Sequence, residues 1–292
     1  MRGCEGYNKS AMLWRNEMFD CELVGKIGSM ALIRHGEYEI DYDVFSRVGP
    51  ELIPGFIWVS SGAVEVGRID YMSRNGGKET DNSAHEVVNA CYAAQGQGIL
   101  MESYRRFINP LYSVRQVLVE HQHFNVPEKC KFIKKLLLGC VRQNAIPIVN
   151  YNDSVSNEET RKVELCNLRQ KLERVVECID NDETASEIAA LVKSKYLVIL
   201  TSSIGLLEDL REESSLIKEV IGKNVYELID NVSELKKCCS GASRKGANGM
   251  KAKLDYIVEP IKNGTTVIIG HSKYQIKDLI LGNVEWTIFR VG

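Results

Sequence analysis

No run in the 292-residue sequence approaches the roughly 20 apolar residues that span a bilayer. The first 20 residues carry Arg2, Glu5, Lys9, Arg15 and Glu17, which break up the apolar stretch a signal peptide needs. A formal net charge of -2 supplies no global attraction to nucleic-acid phosphates or an anionic membrane, so any anion must be held locally. Proline is sparse, at six residues, and no Pro- or Gly-rich linker, internal repeat or low-complexity tract divides the chain. The nine cysteines are odd in number and lack the short paired spacings of structural zinc, so they read as reduced cytosolic thiols. The Gly-x-x-x-x-Gly-Lys-Ser/Thr string is absent, which argues against a P-loop enzyme. Ser61 has no partnered histidine motif that would support a hydrolase triad. His121 and His123, in a segment readable as strand or loop, have no third ligand and read as surface residues.

What is present is a composition of 44% hydrophobic and 26% charged residues, enough for one large domain with a sizeable core. Apolar runs at 21–27, 56–60, 146–150, 196–201 and 265–270 predict buried strands. Between them, 84–107, 127–143, 182–193 and 249–262 have helical periodicity. This alternation predicts a mostly parallel sheet covered on both faces. Four strands run into small or polar turns at Gly28-Ser29, Ser60-Ser61-Gly62, Asn150-Tyr151-Asn152-Asp153 and Thr201-Ser202-Ser203. Ligands of parallel sheets gather at carboxyl ends of strands, so these turns are expected to meet at one site. Residues 156–177 are highly charged, with Leu165, Leu168, Leu172 and Val175 at helical spacing, and predict an amphipathic arm. Residues 208–237 read as surface helices.

The local chemistry leaves alternatives open. Lys26-Ile27-Gly28-Ser29 offers a cation and backbone amides to phosphate, or is a surface lysine before a tight turn. Ser61 and the amides of a helix start suit a carboxylate or phosphate, or Ser60 or Ser61 is an N-cap. Asn150, Asn152, Asp153 and Asp180-Asn181-Asp182 suit an ammonium group or the ordering of lysines, or cap a helix. The richest stretch, Gly246-Ala247-Asn248-Gly249-Met250-Lys251-Ala252-Lys253, places lysines in the first turn of a helix after a glycine-containing loop, an arrangement that favours phosphate.

Taken in order, and joined by Ala93-Ala94-Gln95-Gly96-Gln97, these motifs resemble the gamma-glutamyl kinase branch of the amino-acid kinase family over most of the chain. The resemblance implies a three-layer α/β/α sandwich with a mostly parallel central sheet. It implies transfer of the γ-phosphoryl group of ATP, with Mg²⁺, to the side-chain carboxylate of L-glutamate. Carried over by position, Lys26 and Lys253 neutralise the moving phosphoryl group and Asp182 holds both lysines; Lys253, not Lys251, occupies the family's lysine position. Ser61, Asn150, Asp153, Asp180 and Asn181 bind glutamate. Gly28, Ser29, Thr201, Ser202, Gly246, Asn248, Gly249 and Met250 bind ATP. The resemblance also implies a cytoplasmic homo-oligomer, proline as a feedback inhibitor, and neither a nucleic-acid nor a membrane partner.

The chain departs from the family pattern at Tyr151, usually acidic, at Ser202, usually aspartate, and at Asn248, usually glycine; residues 156–177 read as a helical insertion. Residues 1–20 are expected to be an N-terminal extension and 21–292 one kinase domain. The amino-acid substrate falls to the N-terminal half of that domain and ATP to the C-terminal half. Many members carry a C-terminal PUA module, for which Gly270 to Gly292 leaves no room. The departures keep two alternatives: a different small acid or phosphate acceptor, or a catalytically weakened protein that senses an amino acid or nucleotide.

Overall fold

Strands covered on both faces bury successive rather than alternate residues, and Leu197, Val198, Ile199 and Leu200 are all fully buried. The computed structural model describes residues 18–34, 36, 39–76, 85–156, 158–178, 180–208, 212–238 and 250–292. In chain order, β1 (Cys21–Ile27) leads through a small hairpin, β2 (Ile33–Arg34) and β3 (Glu39–Ile40), to α1 (Tyr42–Val48). There follow β4 (Phe56–Ser60), α2 (Ala63–Arg74), α3 (His85–Phe107), β5 (Ser113–Val119), α4 (Gln122–Asn125) and α5 (Pro127–Gly139). Next come β6 (Ala145–Tyr151), α6 (Glu158–Arg169), α7 (Asn181–Leu191), β7 (Ser194–Thr201), β8 (Leu206–Leu207), β9 (Leu216–Ile217) and β10 (Glu219–Gly222). The chain closes with α8 (Val225–Cys238), α9 (Met250–Tyr256), α10 (Val258–Lys262), β11 (Thr266–His271), α11 (Ile276–Leu281) and β12 (Trp286–Val291).

The central sheet has eight strands in the order β10-β12-β11-β7-β1-β4-β6-β5. Every neighbouring pair is parallel except β11 with β12. One face packs on α5, α7, α8, α9 and α10 through Ile133, Ile188, Leu228, Leu254 and Ile261; the other packs on α1, α2, α3 and α11 through Phe45, Val66, Leu100 and Leu279. This is the expected three-layer α/β/α sandwich. The chain adds β4 on one side of β1 and later β7 on the other, so the order reverses at the sheet centre, where open parallel sheets bind ligands.

The α2–α3 crossing depends on glycine. A Cβ on Gly96 would stand 1.9 Å from the Ala63 carbonyl oxygen, and one on Gly67 1.8 Å from that of Tyr92. With hydrogens there instead, the two backbones touch, and the next residue, Gln97, reaches the end of β6.

The structure corrects several boundaries. The predicted helix 127–143 stops at Gly139 and continues as a 3-10 turn, and Asn144 takes a left-handed φ of 50° before β6. The predicted helix 249–262 divides between Tyr256 and Val258, one turn before Pro260, which lacks the N–H a continuous helix would use. Residues 208–237 are not all helical: β9 and β10 precede α8, and β10 forms the sheet edge. The helical part of 156–177 is α6, which ends at Arg169. Among the described residues no helix is long and apolar enough to cross a membrane, and Cys21, Cys91, Cys130, Cys140, Cys166 and Cys178 are free.

Candidate active site

Parallel pairing aligns β7, β1, β4 and β6 so that Thr201, Lys26-Ile27, Ser60 and Asn150-Tyr151 end on the same sheet edge. Lys26 is 6% exposed there, beneath the start of α7. The Asp180 carboxylate caps α7, accepting hydrogen bonds from the Asp182 and Glu183 amides at 2.9 and 3.0 Å. That cap puts Asp182 in the first turn, where the helix dipole favours an anion. Asp182 is 4% exposed and faces two ammonium groups. Lys26 meets its Oδ1 as an ion pair at 2.5 Å, while Lys253 of α9 donates a hydrogen bond to Oδ2. Burial opposes ionisation of Asp182, yet the two lysines outweigh it and hold the carboxyl down at about 2. Asp180 is pushed up from the usual carboxylate range, by burial first and then by Asp182 beside it.

On the β4–β6 side, a buried relay runs from the Trp58 indole to the Tyr104 hydroxyl (2.9 Å), on to Ser60 Oγ (2.8 Å), and from there to the Ser61 carbonyl (3.0 Å). The cap of α2 is neither Ser60 nor Ser61 but Gly62, whose φ of 104° only glycine adopts readily. The Ser61 hydroxyl therefore caps nothing, and its amide donates to the Ile27 carbonyl at 3.0 Å. Asn150 is 1% exposed; its amide nitrogen donates to Gln97 Oε1 at 2.7 Å and its oxygen accepts from Asn181 at 2.8 Å. Asn181 Oδ1 in turn accepts from the Tyr151 amide at 3.2 Å. These bonds tie α3, β6 and α7 together. Beside them a cleft is lined by Ala63, Ala93, Gln97, Tyr151, Asp153 and Ser154. Burial pushes the Asp153 carboxyl up to about 6, against a smaller opposing effect of the Arg161 charge.

On the β1–β7 side, Gly28 and Ser29 follow Lys26; a Cβ on Gly28 would lie 3.5 Å from the Lys26 ammonium. The Gly28 amide donates to the Leu200 carbonyl at 3.3 Å, and the turn at Ser29 packs against Gly62. The Thr201 hydroxyl is taken up by its own turn, donating to the Ser203 carbonyl at 2.9 Å and accepting from the Ser203 amide at 3.0 Å. Ser202 is exposed beside it. Gly246, Asn248 and Gly249 lie outside the described residues, and Met250 is placed only as the first residue of α9.

The structure thus gathers Lys26, Asp182 and Lys253 at one point, with Asn150, Asn181, Asp180 and Asp153 to one side and Gly28, Ser29 and Thr201 to the other. Three features escaped the sequence reading. Gln97 was a motif member without an assigned contact, and the buried Tyr104–Ser60 relay has no sequence signal. His121 is not a surface residue: it is 4% exposed at the start of the short helix α4, with Nε2 3.1 Å from Glu164 of α6. Burial pushes its imidazole below the ordinary value, ahead of the raising effects of Glu164 and Glu120.

Solved structures share the architecture. Carbamate kinase from Giardia lamblia bound to AMP-PNP superposes with a TM-score of 0.58 at 14% identity, covering 93% of this chain and 98% of that one. Isopentenyl phosphate kinase of T. acidophilum gives 0.55 at 10% identity, covering 93% and 100%. The sandwich is therefore the fold class found in these kinases. The amino acid kinase family model matches residues 55–271, and the chain belongs to that family. Relatives named glutamate 5-kinase include that of Gloeobacter violaceus, 30% identical across 81% of this chain and 58% of its own length. That of Carboxydothermus hydrogenoformans is 27% identical across 91% and 67%, and that of Clostridium perfringens 26% across 90% and 89%. The chain thus spans little more than half the length of the first of these.

Proposed function

We propose that the chain transfers the γ-phosphoryl group of ATP to the side-chain carboxylate of L-glutamate, giving γ-glutamyl phosphate and ADP. The observation that carries this reading is Asp182 buried between the ammonium groups of Lys26 and Lys253 at the carboxyl end of β1. Phosphoryl transfer needs in-line positioning and cations around the equatorial oxygens, with little covalent work from the protein. Lys26 and Lys253 supply those cations, and Asp182 fixes their spacing. Glutamate's carboxylate is already ionised at neutral pH, so no base is required. Ser61, Asn150, Asp153, Asp180 and Asn181 hold the acceptor, with Asn150 and Asn181 pre-set by their mutual hydrogen bond.

ATP falls to the other side, with Gly28, Ser29, Thr201, Ser202, Gly246, Asn248, Gly249 and Met250 as its contacts. Among the described residues no group of three or more His, Cys, Asp or Glu could hold a metal ion. Mg²⁺ would arrive with the nucleotide and would add charge neutralisation to that supplied by Lys26 and Lys253. The relatives named glutamate 5-kinase support the choice of acceptor. The test is hydroxamate formation from glutamate, MgATP and hydroxylamine: product is expected from the native chain and not from Lys253→Ala, and equal absence in both would reject the activity.

Tyr151 favours a second reading, in which the acceptor is another small acid or a phosphate. It replaces an expected acid and packs on Val176, Cys178 and Phe124, so this wall of the site is apolar. ADP release measured over aspartate, N-acetylglutamate, carbamate and UMP separates the two.

A further inference from the structure

His271 is level with Thr201 across the β7–β11 pair, so the two side chains leave the same face of the sheet at its carboxyl edge. That face also carries Lys26. Lys26, Ile199 and Ile269 are paired in one row, Thr201 and His271 stand two residues further out, and side chains alternate along a strand. With strands about 4.8 Å apart and residues about 3.3 Å apart, the Cα atoms of Lys26 and His271 are separated by about 12 Å. Two hydrogen bonds hold the turn after β11: the Ser272 amide donates to the Thr201 carbonyl at 2.9 Å, and Arg47 Nε donates to the Ser272 carbonyl at 3.0 Å. The His271 ring is half-buried and makes a T-shaped contact with Tyr274, the centroids 6.4 Å apart. The Lys273 amide donates to His271 Nδ1 at 2.9 Å. A backbone N–H only donates, so Nδ1 keeps its lone pair; the imidazole is neutral and its proton sits on Nε2. Burial, and then the charges of Lys273 and Arg47, favour the same neutral state against the opposing pull of Glu213. Nε2 has no hydrogen-bond partner among the described residues. A neutral donor of fixed tautomer thus stands beside Thr201, on the face that carries Lys26.

We propose that His271 reads the ribose of the nucleotide, its Nε2–H donating to a ribose hydroxyl oxygen. With the γ-phosphate at Lys26 and Lys253, the phosphate chain runs across β7 and the sugar comes over the end of β11. Phosphate oxygens draw charged donors and backbone amides, which Lys26, Lys253 and the turn at Gly28 supply. A single neutral donor suits an uncharged hydroxyl instead, whose oxygen accepts. The nucleotide side of the site thereby extends past Thr201 to a strand beyond the family motifs, and a preference for ribonucleotides over deoxyribonucleotides follows. This inference rests on the placement of ATP in the reading above.

The test is calorimetric binding of ADP, 2′-deoxy-ADP, 3′-deoxy-ADP and GDP to the full chain with Mg²⁺. No acceptor is present, so the result does not depend on which acid is phosphorylated. The native chain is expected to bind ADP roughly 10-fold more tightly than at least one of the two deoxynucleotides, the effect of one hydrogen bond left unmade. His271→Asn keeps an oxygen that accepts the Lys273 amide two residues on, as in an Asx turn, but is too short to carry a donor to the sugar. It should lower ADP affinity by the same factor and leave that of the deoxynucleotide at its native value, so the ribose preference disappears. His271→Gln, whose amide nitrogen extends further, should restore part of it. A ribose preference kept in His271→Asn, a native chain without one, or a loss in His271→Asn that falls equally on all four nucleotides would overturn the assignment and leave the kinase reading standing. A changed preference for ADP over GDP with the ribose preference intact would overturn it too, by moving the contact to the base. A native chain that binds no adenine nucleotide would remove the ATP side of the kinase reading and this inference with it.

Discussion

Asp182 is a buried carboxylate held between two ammonium groups. Its carboxyl is held near 2, below the ordinary 3.8, so its ion pairs stabilise the fold fully above about pH 4. That contribution is lost as pH falls toward 2. Asp182→Asn leaves two ammonium groups facing a neutral amide. We expect a loss of roughly 3 kcal/mol in urea unfolding at pH 7 and a fall in kcat of roughly 100-fold. Asp153 has the opposite sign. Its folded value of about 6 lies above 3.8, so the fold favours the protonated acid, and stability falls as pH rises from about 4 to 6. At pH 7 the buried charge is a liability kept for the site, and Asp153→Asn should raise Tm by about 5 °C while weakening acceptor binding. A melting curve flat between pH 4 and 7 in the native chain would contradict that sign.

At the scale of elements, the site depends on where α3 and α7 start and cross. The α2–α3 contact through Gly67 and Gly96 leaves no room for a methyl group, and Gly96→Ala must push α3 away from the Ala63 carbonyl. We expect a loss of about 3 kcal/mol or more in the urea midpoint, with a higher acceptor KM because Gln97 leaves Asn150. Strand positions were the most legible part of the sequence. Residues 21–27 and 56–60 are predominantly apolar, and the observed strands keep those limits. Local pattern failed where backbone geometry decided the outcome. Asn144 ends the 3-10 turn after α5 by turning left-handed, and Pro260 divides a helix by withholding an N–H. Arg115 and Gln116 interrupt the apolar run of β5, and pairing with β6, not composition, makes it a strand. The capping reading of Asp180 was also correct, and it is the cap that presents Asp182 to the lysines.

For the whole molecule, sheet order turns scattered motifs into a site. Lys26, Asp182 and Lys253 are far apart in sequence, and only the placement of β7 and β4 on opposite sides of β1 brings α7 and α9 over the β1 terminus. The ordered motifs made the three residues legible as a set. The burial of His121 stayed hidden because nothing local shows that α6 folds back onto the turn after β5. The central claim is that this centre moves a phosphoryl group onto a carboxylate, and oxygen transfer reports it directly. Glutamate labelled with ¹⁸O in its side-chain carboxylate is incubated with the chain, MgATP and hydroxylamine, and the released phosphate is read by ³¹P NMR. Hydroxylamine attacks the acyl carbon, so the phosphate leaves with the oxygen that bridged it to carbon. The account expects one ¹⁸O in each phosphate formed, and unlabelled phosphate would contradict it.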